Sequence, residues 1–169
     1  MAHSSELTHV NVDGAAHMVD VAAKAVSTRT AVAAGRVVTT GEVLGLLRAN
    51  GLAKGDALAV ARIAGIMGAK RTPDLVPLCH PIALHGVTVE LAIGDTAIEI
   101  EATVRTADRT GVEMEALTAV AVAGLTLIDM IKGVDPAASI ERIRVLSKDG
   151  GATGRWRRAE ADGSGGATS

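Results

Sequence analysis

The alternation of apolar and polar residues along the chain predicts four strands. Residues 30–38 are small and β-branched, which indicates a strand. Residues 87–93 and 97–104 form two further runs, and the Gly-Asp-Thr triplet between them is typical of a β-hairpin. Two glutamates alternate with apolar neighbours in the second of these runs, so we expect one face of the sheet to be exposed to solvent. Residues 140–146 predict the last strand.

Apolar residues at helical spacing predict three helices between these strands. Thr40 can cap a first helix that ends before Gly51. Asp56 can cap a second helix over 57–70, and residues 111–132 form the longest helix. The order strand, helix, helix, hairpin, helix, strand favours an α+β fold with an antiparallel sheet covered on one face by helices.

The composition predicts a core of small side chains. The chain has 169 residues, enough for one domain, and 48% of them are hydrophobic, yet it contains no Phe, no Tyr and a single Trp. Ala61, Ala64, Gly65 and Gly68 form a narrow stripe on the second helix, which suits close helix packing. A thin core of this kind gains burial from other subunits, so we expect an oligomer.

Charge and cysteine content exclude several classes of protein. The net charge is -2, so no global positive field recruits nucleic acid, and aromatic stacking platforms are absent. A single cysteine excludes an intramolecular disulfide, and the polar start of the chain lacks the apolar core of a signal peptide. The longest uncharged apolar stretch, 116–128, is shorter than the ~20 residues that cross a bilayer. We therefore expect a cytoplasmic protein without a membrane segment.

The segment from Lys70 to Pro81 concentrates chemical groups. It holds two cations, the only cysteine, a histidine and three of the four prolines. Each proline disfavours helical backbone at the residue before it, so Thr72, Val76 and His80 are expected to be extended. The spacing predicts a rigid loop that can hold a side chain against a ligand.

The longest helix carries its charges at its two ends. Glu113 and Glu115 lie near its start, whereas Asp129 and Lys132 lie near its end, three residues apart and so on one face. Glu115 and Asp129 differ by only about 40° in direction but stand about 21 Å apart along the axis. If both serve one kind of pocket, two copies of the helix must supply opposite ends, and the pocket lies between subunits.

Each of these charges also has an ordinary explanation. Asp129 and Lys132 can be a surface ion pair, and the two glutamates can simply stabilise the helix dipole. Lys70 and Arg71 can do the same at the carboxyl end of the second helix, and Lys54 can be a solvated loop lysine.

Cys79 and His80 leave three alternatives open. His80 and His85 with a carboxylate could form a metal site, but a structural zinc site needs about four ligands and no second cysteine exists. A Cys-His nucleophile pair is disfavoured because adjacent residues on extended backbone point to opposite faces. The third alternative, in which Cys79 packs and His80 faces the pocket as a proton shuttle or anion contact, is favoured.

Taken together, these segments resemble the cyclic pyranopterin monophosphate synthase family, also called the MoaC family. The resemblance spans most of residues 8–154. Its motifs are His-Met-Val-Asp-Val at 17–21, Ala-Gly-Ile-Met at 64–67 followed by Lys-Arg-Thr at 70–72, Leu-Val-Pro-Leu-Cys-His-Pro at 75–81, Thr-Gly-Val-Glu-Met-Glu-Ala-Leu-Thr at 110–118 and Asp-Met-Ile-Lys at 129–132.

The resemblance implies a ferredoxin-like α+β core in a homo-oligomer, a hexamer of three dimers with active sites between subunits. It also implies a reaction of molybdenum cofactor biosynthesis, in which a cyclic dihydro-GTP intermediate is rearranged to cyclic pyranopterin monophosphate and pyrophosphate leaves. This is a lyase reaction, and the resemblance implies neither a metal nor a redox cofactor.

The resemblance also implies roles for particular residues, which suit a triphosphate substrate that needs cations and proton transfers. The implied catalytic residues are Lys54, His80, Glu115, Asp129 and Lys132. The implied substrate-binding residues are Lys70, Arg71, Leu78, Cys79, His80, Met114 and Glu115.

The resemblance breaks down near the end of the chain. The family often has Gly-Gly-Lys-Ser-Gly there, whereas this chain has Gly-Gly-Ala-Thr-Gly at 150–154, and Arg155 is the nearest cation that could replace the lysine. We expect a mobile segment at 1–16, the catalytic domain at 17–154 and a flexible Gly-rich tail at 155–169. The alternatives in other classes are a non-catalytic nucleotide-binding regulatory module and a metal-dependent phosphohydrolase.

Overall fold

The computed structural model describes residues 14–49, 56–152 and 154–159. Its strands, in chain order, are β1 (Ser27–Val38), β2 (Gly86–Ile93), β3 (Ala97–Asp108), β4 (Ser139–Asp149) and β5 (Trp156–Arg157). Its helices are α1 (Gly41–Arg48), α2 (Ala57–Lys70), α3 (Thr72–Leu75) and α4 (Glu113–Ile131).

The strands form one open sheet in the order β2-β3-β1-β4-β5, with antiparallel neighbours throughout. The first four strands and the helices that connect them have the topology of a ferredoxin-like α+β fold, which confirms the predicted fold class. The hairpin of β2 and β3 is confirmed as well. The short strand β5 extends the sheet into the segment assigned above to the tail.

Two predicted helix caps are confirmed at the atomic level. The Thr40 hydroxyl accepts a hydrogen bond from the Val43 backbone N–H at the start of α1. The Asp56 carboxylate accepts one from the Ala59 N–H at the start of α2. The proposed stop at Gly51 lies outside the described residues. Both caps satisfy N–H groups that the helix itself cannot pair.

The proline segment is extended only in part. Val76 has φ −120° and ψ 100°, as predicted, but the prediction for Thr72 is wrong because Thr72 is the first residue of α3. Its buried hydroxyl donates to the Ala69 carbonyl at 3.0 Å, and its own carbonyl accepts from the Val76 N–H. Pro73 lies in the first turn, where a missing N–H costs no helical bond. These contacts outweigh the usual restriction on the residue before a proline.

The core lies between one face of the sheet and the pair α2 and α4. Glu99 and Glu101 are exposed on the other face, as the alternation predicts. The small stripe on α2 faces α4 so closely that a Cβ at Gly65 would stand 2.9 Å from the Ala119 carbonyl oxygen. Helix α4 is long and apolar enough to cross a membrane, but it packs on the sheet and α2 with Leu127 and Ile131 fully buried.

The topology decides which ends of these elements meet. Helix α2 returns the chain from β1 to the start of β2, and α4 returns it from β3 to the start of β4, so the two helices run antiparallel. The carboxyl end of α2 therefore lies at the same end of the molecule as the amino end of α4. The register Thr30↔Asp149 and Thr30↔Arg105 brings the start of β1, the end of β3 and the end of β4 there too. We call this end the Glu115 end.

Candidate active site

Glu115 is a buried carboxyl in the first turn of α4, with only 3% of its surface exposed. Burial raises its pKa to about 7, and the nearby charge of Glu113 adds to the rise, while a hydrogen bond from its own backbone N–H opposes it. A carboxyl with a pKa near 7 can both take up and release a proton at neutral pH. Glu115 therefore has the electrostatics of a general acid or base.

Cys79 lies close enough to Glu115 to respond to its charge. Burial raises the pKa of the Cys79 thiol, and the negative charge of Glu115 raises it further. A raised pKa keeps the thiol protonated and weakens it as a nucleophile. This agrees with Cys79 as a packing residue.

His80 is hydrogen-bonded to the backbone of Val19, in the segment that precedes β1. Its Nε2 lies 2.8 Å from the Val19 carbonyl oxygen, and since a carbonyl only accepts, Nε2 carries the hydrogen. In the neutral ring Nδ1 is then the acceptor, which leaves that atom for a proton transfer. The bond also joins the motif at 17–21 to the proline segment.

A cavity of about 550 Å³ opens next to the amino end of α4. Its walls come from the start of β1, the loop before α4, and the turn after β4. Four cationic side chains line it, together with the carboxylates of Glu113 and Asp149. The cations are Lys24, Arg29, Arg109 and Lys148. We call this cavity the basic pocket.

Local contacts hold the cations of the basic pocket. Arg29 donates from Nε to the Asp108 carbonyl at 3.0 Å, and Arg109 donates from Nε to the Lys24 carbonyl at 3.0 Å. Lys148 pairs with Glu113 at 3.1 Å. The pocket thus places several N–H donors around one volume, which suits an oligophosphate.

Asp129 and Lys132 lie at the opposite end of α4. Their side chains pair at 2.7 Å and are both more than half exposed. The predicted shared face is confirmed. Within one subunit, however, Asp129 stands about 21 Å from Glu115 along the helix axis, and Lys132 lies farther still.

The other predicted site residues divide between the described and undescribed parts of the chain. Lys54 lies outside the described residues. Lys70 ends α2 and Arg71 caps it, both exposed at the Glu115 end. Leu78 is partly buried in the proline segment, and Met114 is 39% exposed beside Glu115.

The proposed metal set of His80 and His85 is not assembled. His85 accepts the Ala107 N–H at Nδ1, while His80 uses Nε2 on Val19. In the described part of the chain, no three His, Cys, Asp or Glu side chains are grouped to hold a metal ion.

Sequence reasoning missed the four cations of the basic pocket. They are scattered between positions 24 and 148, and only the antiparallel register of β1 with β3 and β4 brings them together. One signal was present in the sequence. The four cations all lie near the ends of predicted strands, and these strand ends must meet at one end of such a sheet.

Comparison with known proteins gives consistent matches over almost the whole chain. The model of the MoaC family matches residues 18–151. The cyclic pyranopterin monophosphate synthase of Streptomyces griseus is 60% identical over 163 residues, covering 96% of this chain and 92% of the relative. Cyclic pyranopterin monophosphate synthase 2 of Mycobacterium bovis is 63% identical over 155 residues, covering 92% and 93%. The synthase of Corynebacterium glutamicum is 60% identical over 152 residues, covering 90% and 97%.

Proposed function

The chain belongs to the MoaC family, and on that premise we propose that it converts a cyclic dihydro-GTP intermediate to cyclic pyranopterin monophosphate with release of pyrophosphate. The reaction is a lyase step of molybdenum cofactor biosynthesis. The structural observation that carries the proposal is the buried carboxyl of Glu115, with a pKa of about 7, at the same end of the molecule as the basic pocket.

The basic pocket is the site for the triphosphate group. Lys24, Arg29, Arg109 and Lys148 supply the donors, and Lys70 and Arg71 add positive charge at the same end of the molecule. Because the protein as a whole has a net charge of -2, attraction for the phosphates is confined to this region.

The bond changes of the final step define what the site must do. A hydroxyl oxygen of the substrate bonds to the α-phosphorus, the bond from that phosphorus to the β-phosphate oxygen breaks, and pyrophosphate leaves. The hydroxyl proton passes to a base, and the cations of the pocket stabilise the negative charge on the leaving group. Glu115 and His80 offer proton acceptors at one end, with Leu78, Cys79 and Met114 as walls.

Asp129 and Lys132 complete the machinery from a second subunit, and Lys54 is the further essential cation that the family resemblance implies. A helix cannot deliver Asp129 and Glu115 to one small molecule, but two antiparallel copies of α4 can pair the opposite ends. Apolar residues on the solvent side of the helices support such a contact. They are Val60, Ile63 and Met67 on α2 and Leu125 on α4.

We propose the larger assembly and the cellular setting on the same family membership. We place the catalytic domain at 17–154, in a cytoplasmic hexamer of three dimers with two shared sites in each dimer. The family-model match over 18–151 supports these domain bounds.

Incubation of the purified protein with the cyclic dihydro-GTP intermediate tests the function. Pyrophosphate release and pterin product should appear together in equal amounts, with and without a chelator. Asp129→Asn and Lys132→Ala should each lose most of the turnover. Pyrophosphate without pterin, or release that stops with chelator, would point to a metal-dependent phosphohydrolase instead, and binding without turnover would point to a regulatory module.

A further inference from the structure

The turn from β4 to β5 is built from glycines in left-handed backbone. Gly150, Gly151 and Gly154 have φ of +94°, +78° and +62°. Such angles are costly for residues with a Cβ, so the turn depends on glycine at each position. The three glycines nevertheless differ in what their missing side chains would meet.

The three atoms nearest to a Cβ at Gly151 would all belong to the end of one side chain, that of Arg29. Such a Cβ would overlap Nη1 of Arg29 and stand 3.0 Å from Cζ of the same guanidinium. A Cβ at Gly150 would instead overlap the Thr28 carbonyl oxygen, a backbone atom that cannot move aside without shifting β1. A Cβ at Gly154 would meet nothing within 4 Å.

Arg29 is therefore confined on two sides. Its Nε is bound to the Asp108 carbonyl, and its guanidinium lies against the backbone of Gly151. Arg29 and Gly151 both line the basic pocket. The Arg29 guanidinium thus occupies the space that a side chain at position 151 would fill.

We propose that Gly151 is a positioning residue that holds the Arg29 guanidinium for the phosphate groups of the substrate. The inference rests on the proposed function only in taking the basic pocket as the phosphate site. An alanine at 151 meets the flexible end of Arg29 rather than neighbouring backbone, and so displaces the guanidinium; the strain of its left-handed φ is shared by an alanine at 154. It should therefore weaken phosphate binding while the fold survives. The loss should be about tenfold, the scale of one hydrogen bond to a charged group.

Gly151→Ala and Gly154→Ala form a matched pair for the test. Both put a Cβ on left-handed backbone, but only the first reaches Arg29. The affinity of inorganic pyrophosphate is measured by calorimetry, KM and kcat are measured with the cyclic substrate, and thermal unfolding is recorded for each variant. We expect Gly151→Ala to weaken pyrophosphate binding and raise KM about tenfold with kcat little changed, and Gly154→Ala to do neither.

Arg29→Ala and the double variant Arg29→Ala with Gly151→Ala test the route of the effect. If Gly151 acts through Arg29, its substitution adds little once Arg29 is gone. Equal losses with and without Arg29, or equal losses for Gly151→Ala and Gly154→Ala, would overturn the inference while leaving the proposed function intact. Absence of turnover in the unmodified protein would overturn the function, yet the pyrophosphate affinities would still decide the role of Gly151.

Discussion

At the scale of single residues, folding gives Glu115 a pKa that a glutamate at the start of a helix does not ordinarily have. Two glutamates stand two positions apart at the start of α4, and both could be explained by the helix dipole alone. The structure separates them, because Glu113 pairs with Lys148 at the pocket whereas Glu115 is buried. Burial raises the pKa of Glu115 from 4.5 to about 7.

The raised pKa predicts how stability changes with pH. Below about pH 4.5, Glu115 is protonated in both the folded and the unfolded chain; between there and about pH 7, only the folded chain keeps the proton. The contribution of Glu115 to the free energy of unfolding is therefore complete at low pH. It is lost as the pH rises from about 4.5 through about 7. Glu115→Gln cannot titrate, so the free energy of unfolding of the unmodified protein, minus that of the variant, should fall from pH 5 to pH 8.

Urea unfolding at several pH values measures this difference. Glu99→Gln is the control, since Glu99 is exposed on the open face of the sheet and its substitution should give no such trend. Parallel curves for the unmodified protein and Glu115→Gln would contradict the raised pKa.

The reactivity of the Cys79 thiol provides a second measure of the charge on Glu115. The negative charge of Glu115 helps to raise the pKa of the thiol, so above pH 7 Glu115→Gln should increase the thiolate fraction and speed alkylation by iodoacetamide. The chain has one cysteine, so the measured rate belongs to Cys79 alone. Glu113→Gln removes a carboxylate from the same helical turn that is not a cause of the raised thiol pKa. Its charge does act on Glu115, so the comparison is made well above pH 7, where Glu115 is ionised in either protein and Glu113→Gln should leave the rate unchanged. Equal rates in both variants would mean that Glu115 does not act on the thiol.

At the scale of elements, the sheet and its helices are held by small residues rather than by aromatic ones. Gly65 lets α2 approach α4 until a Cβ would crowd the Ala119 carbonyl at 2.9 Å and Val89 at 3.2 Å. Backbone on one side and a buried strand residue on the other leave little room to relax. Gly65 therefore limits the distance between α2 and α4, together with Gly68, where a Cβ would stand 2.8 Å from the Val122 side chain.

Gly65→Ala and Gly45→Ala should have effects of opposite sign. At Gly65 the added methyl group overpacks the interface and should lower the free energy of unfolding by about 1–3 kcal/mol. At Gly45, inside α1, a Cβ would meet nothing within 4 Å, so alanine should raise stability by about 0.5–1 kcal/mol through its helix propensity. Denaturant unfolding measures both. A stabilising Gly65→Ala would show that α2 and α4 have room between them.

The elements were largely predictable from the sequence because their signals are local. Thr40 and Asp56 indicate helix starts because each side chain accepts a hydrogen bond from the backbone N–H three residues on. The prediction for Thr72 is wrong because its hydroxyl bond to the Ala69 carbonyl, three residues back, and its burial outweigh the restriction that Pro73 imposes. The basic pocket could not be predicted for a different reason, because Arg29 and Lys148 are brought together only by the pairing of β1 with β4.

At the scale of the whole molecule, the proposed function requires that one subunit carry two half-sites at opposite ends of α4. The Glu115 end holds the basic pocket, Cys79 and His80, while the other end of α4 carries Asp129 and Lys132 as an exposed ion pair. The helix that bears both ends is rigid and long, so no motion within a subunit joins them. The distance between Glu115 and Asp129 could be calculated from the sequence. The identity of the cations near Glu115 could not.

A shared site predicts that two inactive variants can restore each other. Glu115→Gln and Asp129→Asn disable opposite half-sites, so a mixed pair has one site with both defects and one with neither. Random pairing makes half of the dimers mixed, and activity should return to about a quarter of the unmodified level. Co-expression of the two variants, followed by the pyrophosphate assay, measures the return.

Mixing Asp129→Asn with Lys132→Ala is the control that separates shared sites from simple dilution. These two changes fall in the same half-site, so every site in a mixed dimer keeps one defect and activity should stay at the level of the single variants. A return in the first mixture but not in the second requires that one subunit supply Glu115 while its partner supplies Asp129. No return in the first mixture would confine each site to one chain, and the 21 Å between these carboxyls along α4 would then exclude at least one of them from the chemistry.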